Sequence, residues 1–202
     1  MTLFKRDYKF YTDERLMQLV TKKDAKAFSE IYDRYGKKML NYFHRMLWKD
    51  KEKAEDFMQD LFVKIIEKPQ MFDASRPFKT WLYSIANNMC KNEYKKQEIR
   101  RDKHEILTRE LDNSIQDDFS ENLDFREFNV KLDQELQKLD ENHRSTFIMR
   151  YKEDLTIKEI SEIMECSEGT VKSRLFYSLK KLTPHLQVFN PKFDNLYYEQ
   201  KK

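Results

Sequence analysis

Residues 155–182 read LTIKEISEIMECSEGTVKSRLFYSLKKL, two short amphipathic runs either side of a three-residue break. Thr156 and Glu159 form a T-x-x-E capping box that predicts the start of the first helix. Ile157, Ile160 and Met164 then share one face, with small Ser161 beside them where a second helix can approach. Glu165-Cys166 interrupts the pattern, and Ser167 is placed to N-cap the next helix. There Val171, Leu175, Ser178, Leu179 and Leu182 form a stripe at helical spacing. The opposite arc carries Gly169, Thr170, Lys172, Ser173, Phe176, Tyr177 and Lys180. Spacing alone leaves two readings open: a DNA-reading helix pair, or an ordinary helical hairpin with a solvated basic face.

The arc has the chemistry a major-groove helix needs. Its N-terminus aims backbone N–H groups and a positive dipole end at phosphate. Short Thr and Ser side chains allow close approach, while Lys172 and Arg174 reach base edges or phosphates. An exposed Phe176 offers apolar contact to a thymine methyl. A merely solvated face has no need of an aromatic pair among its cations.

The rest of the 202-residue chain bounds the setting. Two Gly and four Pro leave few tight turns, and 37% charged with 14% aromatic residues suits helices with apolar seams and solvated outer faces. The net charge of +3 neither requires nor excludes a polyanionic partner, so charge placement decides. Cys90 and Cys166 form no CxxC pair, and the four His are scattered, so neither a metal nor another cofactor is expected. No apolar run approaches the roughly 20 residues that span a bilayer. The opening MTLFKRDYKFYTDER has no signal-peptide core, so a soluble, cytoplasmic chain is expected.

Helical periodicity occupies two blocks, about 13–100 and 129–186, predicting an all-α fold of two small domains. The linker between them, 101–128, includes a tract at 105–127 with eight carboxylates against Arg109 and Arg126. In the first block EKAEDFMQDLFVKIIEK (52–68) places Ala54, Phe57, Met58, Leu61, Phe62, Ile65 and Ile66 on one half of a helix. Asp56, Gln59, Asp60, Val63 and Glu67 fill the other half, which would repel phosphate. It suits a solvated surface or a docking face for a basic protein. Next, Phe72-Asp73-Ala74-Ser75-Arg76-Pro77 forms a loop in which Ser75 is placed to N-cap and Pro77 to open a helix. That helix buries Phe78, Leu82, Ile85, Ala86 and Met89. It presents Thr80, Ser84, Asn87, Lys91, Tyr94 and Lys95, groups suited to unpaired bases and backbone. Trp81 sits at the edge of its apolar stripe, where core packing is the expected use.

Together AEDFMQDLFVKIIEK, FDASRPFKTWLYSIANNMCKNEYKK and HRSTFIMRYKEDLTIKEISEIMECSEGTVKSRLFYSLKKL resemble the extracytoplasmic-function sigma factors of bacterial RNA polymerase. A helix-turn-helix alone is unspecific; this ordered trio is not. The resemblance implies sigma region 2 at 13–100, sigma region 4 at 129–186, and a subunit without catalysis that directs promoter-specific initiation. It implies that Asp56, Gln59, Asp60 and Val63 meet core polymerase. It assigns the minus-10 element to Phe72, Asp73, Ser75, Arg76, Lys79, Thr80, Ser84, Asn87, Asn88, Lys91 and Lys95, with a base flipped into the 72–77 loop. It assigns the minus-35 element to Ser167, Gly169, Thr170, Lys172, Ser173, Arg174, Phe176, Tyr177 and Lys180. The implied partners are core RNA polymerase, promoter DNA and an anti-sigma factor, with a monomer when free. The acidic linker would lie along the polymerase's basic RNA-exit path.

Three departures qualify the resemblance. Leu139-Asp140 replaces the family's usual Leu-Pro, implying a looser entrance to the HRSTF helix. Leu82 stands where housekeeping sigma factors carry the second of two melting tryptophans. The tail 187–202, with Val188, Phe189, Phe193, Leu196, Tyr197 and Tyr198, has no counterpart and suits packing on the second domain more than a partner surface. Two rivals remain: a dimeric helix-turn-helix regulator, which leaves the acidic stripe idle, and a nucleic-acid enzyme, which needs clustered rather than dispersed carboxylates.

Overall fold

The computed structural model describes residues 7–101, 123–187 and 189, and among these it contains eight α-helices and no strand. The chain divides into two compact units, Met1–Thr108 and Arg109–Lys202.

In the first unit α1 (Asp13–Val20), α2 (Ala25–Met46), α3 (Lys51–Glu67) and α4 (Phe78–Arg101) surround one core. Each of the first three begins at a polar cap. Thr12, Asp24 and Asp50 accept from the N–H groups of Arg15, Ala27 and Lys53 at 3.2, 3.2 and 3.0 Å. Helix α2 is the central element, packing on α1, α3 and α4. Its buried Ile31, Tyr35, Met39, Tyr42, Phe43 and Met46 recur at helical spacing, and they share the core with Leu16, Leu61, Ile65, Phe78, Leu82 and Tyr83. The rings meet edge-on, Tyr42 with Tyr83 at 5.4 Å and Phe43 with Phe57 at 5.6 Å.

Arg34 fastens the segment before α1 to α2. Its guanidinium donates to Tyr11 O (2.9 Å), Asp13 Oδ1 (2.8 Å), Tyr8 O (3.1 Å), Lys9 O (2.9 Å) and Glu30 Oε1 (2.8 Å). A planar five-donor group is suited to gather so many oxygens. The link from α2 to α3 passes through two successive left-handed residues, Trp48 (φ 56°) and Lys49 (φ 61°). The Trp48 ring lies against Tyr94 at 4.9 Å, and the Tyr94 hydroxyl donates to Met46 O at 2.5 Å.

The second unit comprises α5 (Leu123–Gln137), α6 (Glu141–Tyr151), α7 (Ile157–Met164) and α8 (Glu168–Leu186), with α8 packed on the other three. Its core holds Leu132, Leu136, Phe147, Ile148, Leu155, Ile160, Ile163, Val171, Leu175, Leu179, Leu182 and Leu186. Helix α5 begins at Leu123, so the last residues of the expected linker are helical; 102–122 lie outside the described residues. The entrance to α6 is not loose. Asp140 caps it, accepting from the His143 N–H at 3.2 Å and meeting His143 Nδ1 at 2.5 Å. An N-cap aspartate thus does the work expected of proline. Buried Glu135 on α5 is met by Lys138 at 2.7 Å and Lys131 at 3.3 Å, with His185 of α8 at 4.0 Å. Of the tail, Phe189 packs on Phe128 at 5.9 Å; Val188 and 190–202 lie outside the described residues.

Candidate nucleic-acid and protein interfaces

On α3, Ala54, Leu61, Phe62 and Ile65 are buried, which turns Asp56, Gln59, Asp60 and Val63 outward together, all exposed. Ile66 does not join the buried half. It is 52% exposed beside Val63, itself 47% exposed, so the acidic arc ends in an apolar pair. The buried stripe narrows in the last turn, where Ile65 alone reaches the core. Phe57 and Met58 are half-buried.

The loop before α4 is built on Asp73. Its Oδ1 accepts from the Ser75 N–H at 2.9 Å and the Ser75 hydroxyl at 2.7 Å, while the Arg76 N–H donates to Asp73 O at 3.0 Å. The Ser75 N–H holds the Asp73 carboxyl below its ordinary value. Asp73, Ser75 and Arg76 are exposed. Phe72, placed with them by sequence, is buried instead; its ring rests on Phe78 at 5.6 Å and Trp81 at 5.2 Å, forming the floor of the loop. Trp81 accordingly packs, as its place in the stripe suggested. Ser75 is not the cap of α4, because its hydroxyl is given to Asp73, and Pro77 lies just before the helix rather than inside it. The first helical N–H, that of Phe78, donates to Glu14 Oε1 of α1 at 3.0 Å. Sequence reading missed Glu14. Its signal was faint: an acid in a first turn, and a proline without a side-chain acceptor where α4 needs a cap.

Along α4, Asn88 and Lys95 are exposed and Lys79, Ser84 and Lys91 half-exposed, with exposed Asn92 on the same face. Thr80 (8% exposed) and Asn87 (1%) are buried, contrary to expectation. The cause is that α4 packs on α1, α2 and α3 together, so the covered arc is wider than its apolar stripe. Asn87 Oδ1 accepts from the Tyr42 hydroxyl at 3.5 Å. Tyr94 is likewise turned to Met46 and Trp48 rather than outward. Glu93, also buried, meets Lys53 at 2.5 Å; burial pushes its carboxyl up, but the Lys53 and Gln97 bonds prevail and hold it below the ordinary value.

The helix pair forms as its sequence predicts. The capping box closes with the Glu159 N–H on Thr156 Oγ1 at 3.2 Å and the Thr156 N–H on Glu159 Oε2 at 2.7 Å. Glu165 makes the turn in the left-handed region at φ 52°. Ser167 caps α8, accepting from the Thr170 N–H at 3.1 Å, and its Oγ lies 2.9 Å from Thr170 Oγ1. Those two hydroxyls therefore hold the helix start. Val171, Leu175, Ser178, Leu179 and Leu182 are buried, while Gly169, Lys172, Ser173, Tyr177 and Lys180 are exposed. Phe176 is half-buried, edge-on to Tyr177 at 5.4 Å. Half-buried Arg174 directs Nη1 to Cys166 Sγ at 3.6 Å. The turn thus presets Arg174, which is not freely extended.

Among the described residues no three His, Cys, Asp or Glu are grouped to hold a metal ion, and no helix is long and apolar enough to cross a membrane.

The family described as Sigma-70 region 2 matches residues 31–99, and Sigma-70, region 4 matches 129–182. The ECF RNA polymerase sigma-E factor of Haemophilus influenzae is 30% identical over 184 residues, covering 87% of this chain and 96% of that one. The ECF RNA polymerase sigma factor SigW of Bacillus subtilis is also 30% identical, over 86% of this chain and 96% of its own. In fold, the chain resembles the sigma factor RpoE of Bartonella quintana in complex with the anti-sigma factor NepR. That likeness has a TM-score of 0.69 and 20% identity over 81% of this chain and 98% of that one. CnrH in complex with the cytosolic domain of CnrY gives a TM-score of 0.65 and 21% identity over 90% and 99%.

Proposed function

This chain belongs to the extracytoplasmic-function sigma factors, which direct RNA polymerase to initiate at specific promoters, and on that premise we propose a division of labour among its three surfaces. Asp56, Gln59, Asp60 and Val63 on α3 dock on core polymerase, and Ile66 extends that contact. The 72–77 loop and the outer face of α4 take the minus-10 element. There Asp73, Ser75, Arg76, Lys79, Ser84, Asn88, Lys91 and Lys95 face the separated strand. Phe72, Thr80 and Asn87 act from beneath it, holding loop and helix in place. Extruding a base costs a few kcal/mol, and a loop that holds the base recovers it, so recognition and opening become one event. Helix α8 reads the minus-35 element with Lys172, Ser173, Arg174, Phe176, Tyr177 and Lys180, and offers the N–H groups near Gly169 to phosphate.

The observation that carries this reading is the segregation of charge. The α3 arc through Asp56, Gln59, Asp60 and Val63 to Glu67 is acidic, with exposed Lys64 at its margin one turn on from Asp60, so it suits a protein rather than DNA. The outward faces of α4 and α8 hold lysines among amides, hydroxyls and aromatic rings. The chain supplies no catalysis; bond formation belongs to the polymerase, and the place of action is the cytoplasm. RpoE and CnrH were each solved with a partner, and an anti-sigma protein that covers these surfaces is proposed for this chain as well. The acidic tract within 105–127 follows the polymerase's RNA-exit path, where its charge stands in for nucleic acid.

The test is gel filtration with core polymerase followed by run-off transcription on a randomised promoter library. Failure to co-elute refutes the docking assignment. Asp60→Ala weakens polymerase binding and spares duplex contact by the second unit. Lys172→Ala does the reverse, by about 1–3 kcal/mol if the lysine touches a base edge. Equal effects of both on polymerase binding refute the division.

A further inference from the structure

Every helix N-terminus presents N–H groups that need acceptors, and nearly all those considered above are met by a residue just upstream in sequence. Helix α4 is the exception. Pro77 has no side-chain acceptor, and the Ser75 hydroxyl is spent on Asp73 Oδ1 at 2.7 Å. The acceptor comes from 64 residues away, where Glu14 Oε1 takes the Phe78 N–H at 3.0 Å. Glu14 is itself held from behind. Its neighbour Asp13 binds Arg34 of α2 at 2.8 Å and the Tyr35 hydroxyl, and the Tyr35 ring stands edge-on to Phe78 at 5.3 Å. Phe78 in turn supports Phe72 and Trp81 under the loop. Burial pushes the Glu14 carboxyl up, but hydrogen bonds from the Phe78 N–H, its own N–H and the Thr12 side chain together hold it below the ordinary value, so it stays an acceptor and a negative charge at the positive end of α4.

We propose that Glu14 is a positioning residue for promoter opening: its carboxylate, delivered from α1, caps α4 and fixes the angle at which the 72–77 loop enters that helix. The loop is thereby left free of capping duty, and Asp73, Ser75 and Arg76 shape the surface that receives the extruded base. A carboxylate already seated at the helix start also denies that position to a DNA phosphate, so the strand must engage the loop and the side of α4 instead. This rests on the assignment of the loop to the minus-10 element.

The experiment uses the full chain with core polymerase on the strongest promoter recovered from the randomised library, with 2-aminopurine in the non-template minus-10 bases. Polymerase affinity, closed-complex affinity and the fluorescence rise on opening are measured for Glu14→Ala, Glu14→Gln, Asp73→Ala and Arg76→Ala, alongside thermal melts. Glu14→Ala lowers open-complex formation roughly tenfold with polymerase and closed-complex affinity unchanged. Glu14→Gln, which keeps a carbonyl oxygen for the Phe78 N–H, recovers most of the loss. Unchanged opening in Glu14→Ala overturns the proposal, as does an equal fall in polymerase affinity and opening, which would mean a general loss of fold. If Asp73→Ala and Arg76→Ala open normally while Glu14→Ala does not, the loop assignment fails and the positioning of α4 stands. If the loop variants fail and Glu14→Ala opens normally, the role of Glu14 alone is refuted.

Discussion

Replacing Gly169 by alanine separates the needs of the fold from those of DNA. Gly169 lies in the first turn of α8, with no positive φ to demand glycine, and a Cβ built there meets only Ser167 Oγ, at an ordinary 3.6 Å. Within the chain nothing resists the methyl group. Alanine reduces the freedom of the unfolded chain and favours helix, a gain of about 0.4–1 kcal/mol at a compatible site. In a unit of this size that raises the melting temperature by roughly 2–8 °C. If the α8 N-terminus is set against a phosphate, the same methyl group stands where the backbone must approach. Loss of even one charge-assisted N–H contact then costs about 1.5–3 kcal/mol, at least tenfold in affinity. The expected result is a protein that melts higher and binds its minus-35 duplex more weakly. Calorimetry and fluorescence anisotropy at fixed ionic strength measure the two effects. Full-strength duplex binding in a correctly folded Gly169→Ala variant refutes close approach at that helix end, and a lowered melting temperature refutes the open surroundings of Gly169.

Three further outcomes are expected. Arg34→Ala removes all five oxygen contacts of that guanidinium, destabilises the first unit by about 2–3 kcal/mol and accelerates amide exchange over residues 8–14. Asp140→Ala costs about 1 kcal/mol through the lost α6 cap, and Asp140→Asn restores most of it, as thermal melts will show. Lys138 beside Glu135 holds that buried carboxyl below its ordinary value of 4.5. Its contribution to stability is therefore present above that value and lost as pH falls through the lower folded value. Between pH 5 and 3 the wild-type second unit loses more melting temperature than Glu135→Gln, whose side chain does not titrate.

The helix pair was legible almost to the residue because its boundaries are local chemistry. A capping box, a serine cap and a single apolar stripe each act within four residues of themselves. Helix α4 was legible in extent but not in orientation. Thr80, Asn87 and Tyr94 look like solvent-facing groups when only their own helix is considered. They are covered because three other helices close around α4, and at least Asn87 and Tyr94 find hydrogen-bond partners on α2, which periodicity cannot see. Phe72 sank into the core for a related reason, since Phe78 and Trp81 offered an aromatic floor one turn away. Ile66 went the other way, as the buried side of α3 narrows to Ile65 in its last turn. Glu14 was hidden because its partner is 64 residues distant, and a contact of that range leaves no mark on either segment.

Trp48 and Lys49, both left-handed and neither a glycine, have a practical bearing. A bulky residue in that conformation costs roughly 1–2 kcal/mol, so the α2–α3 bend stores strain far along the chain from the α8 surface. Lys49→Gly relieves part of it, for a gain of about 1 kcal/mol. The protein has thus left thermal tolerance unclaimed at this bend, which makes Lys49 the first place to engineer a hardier regulator for synthetic gene circuits.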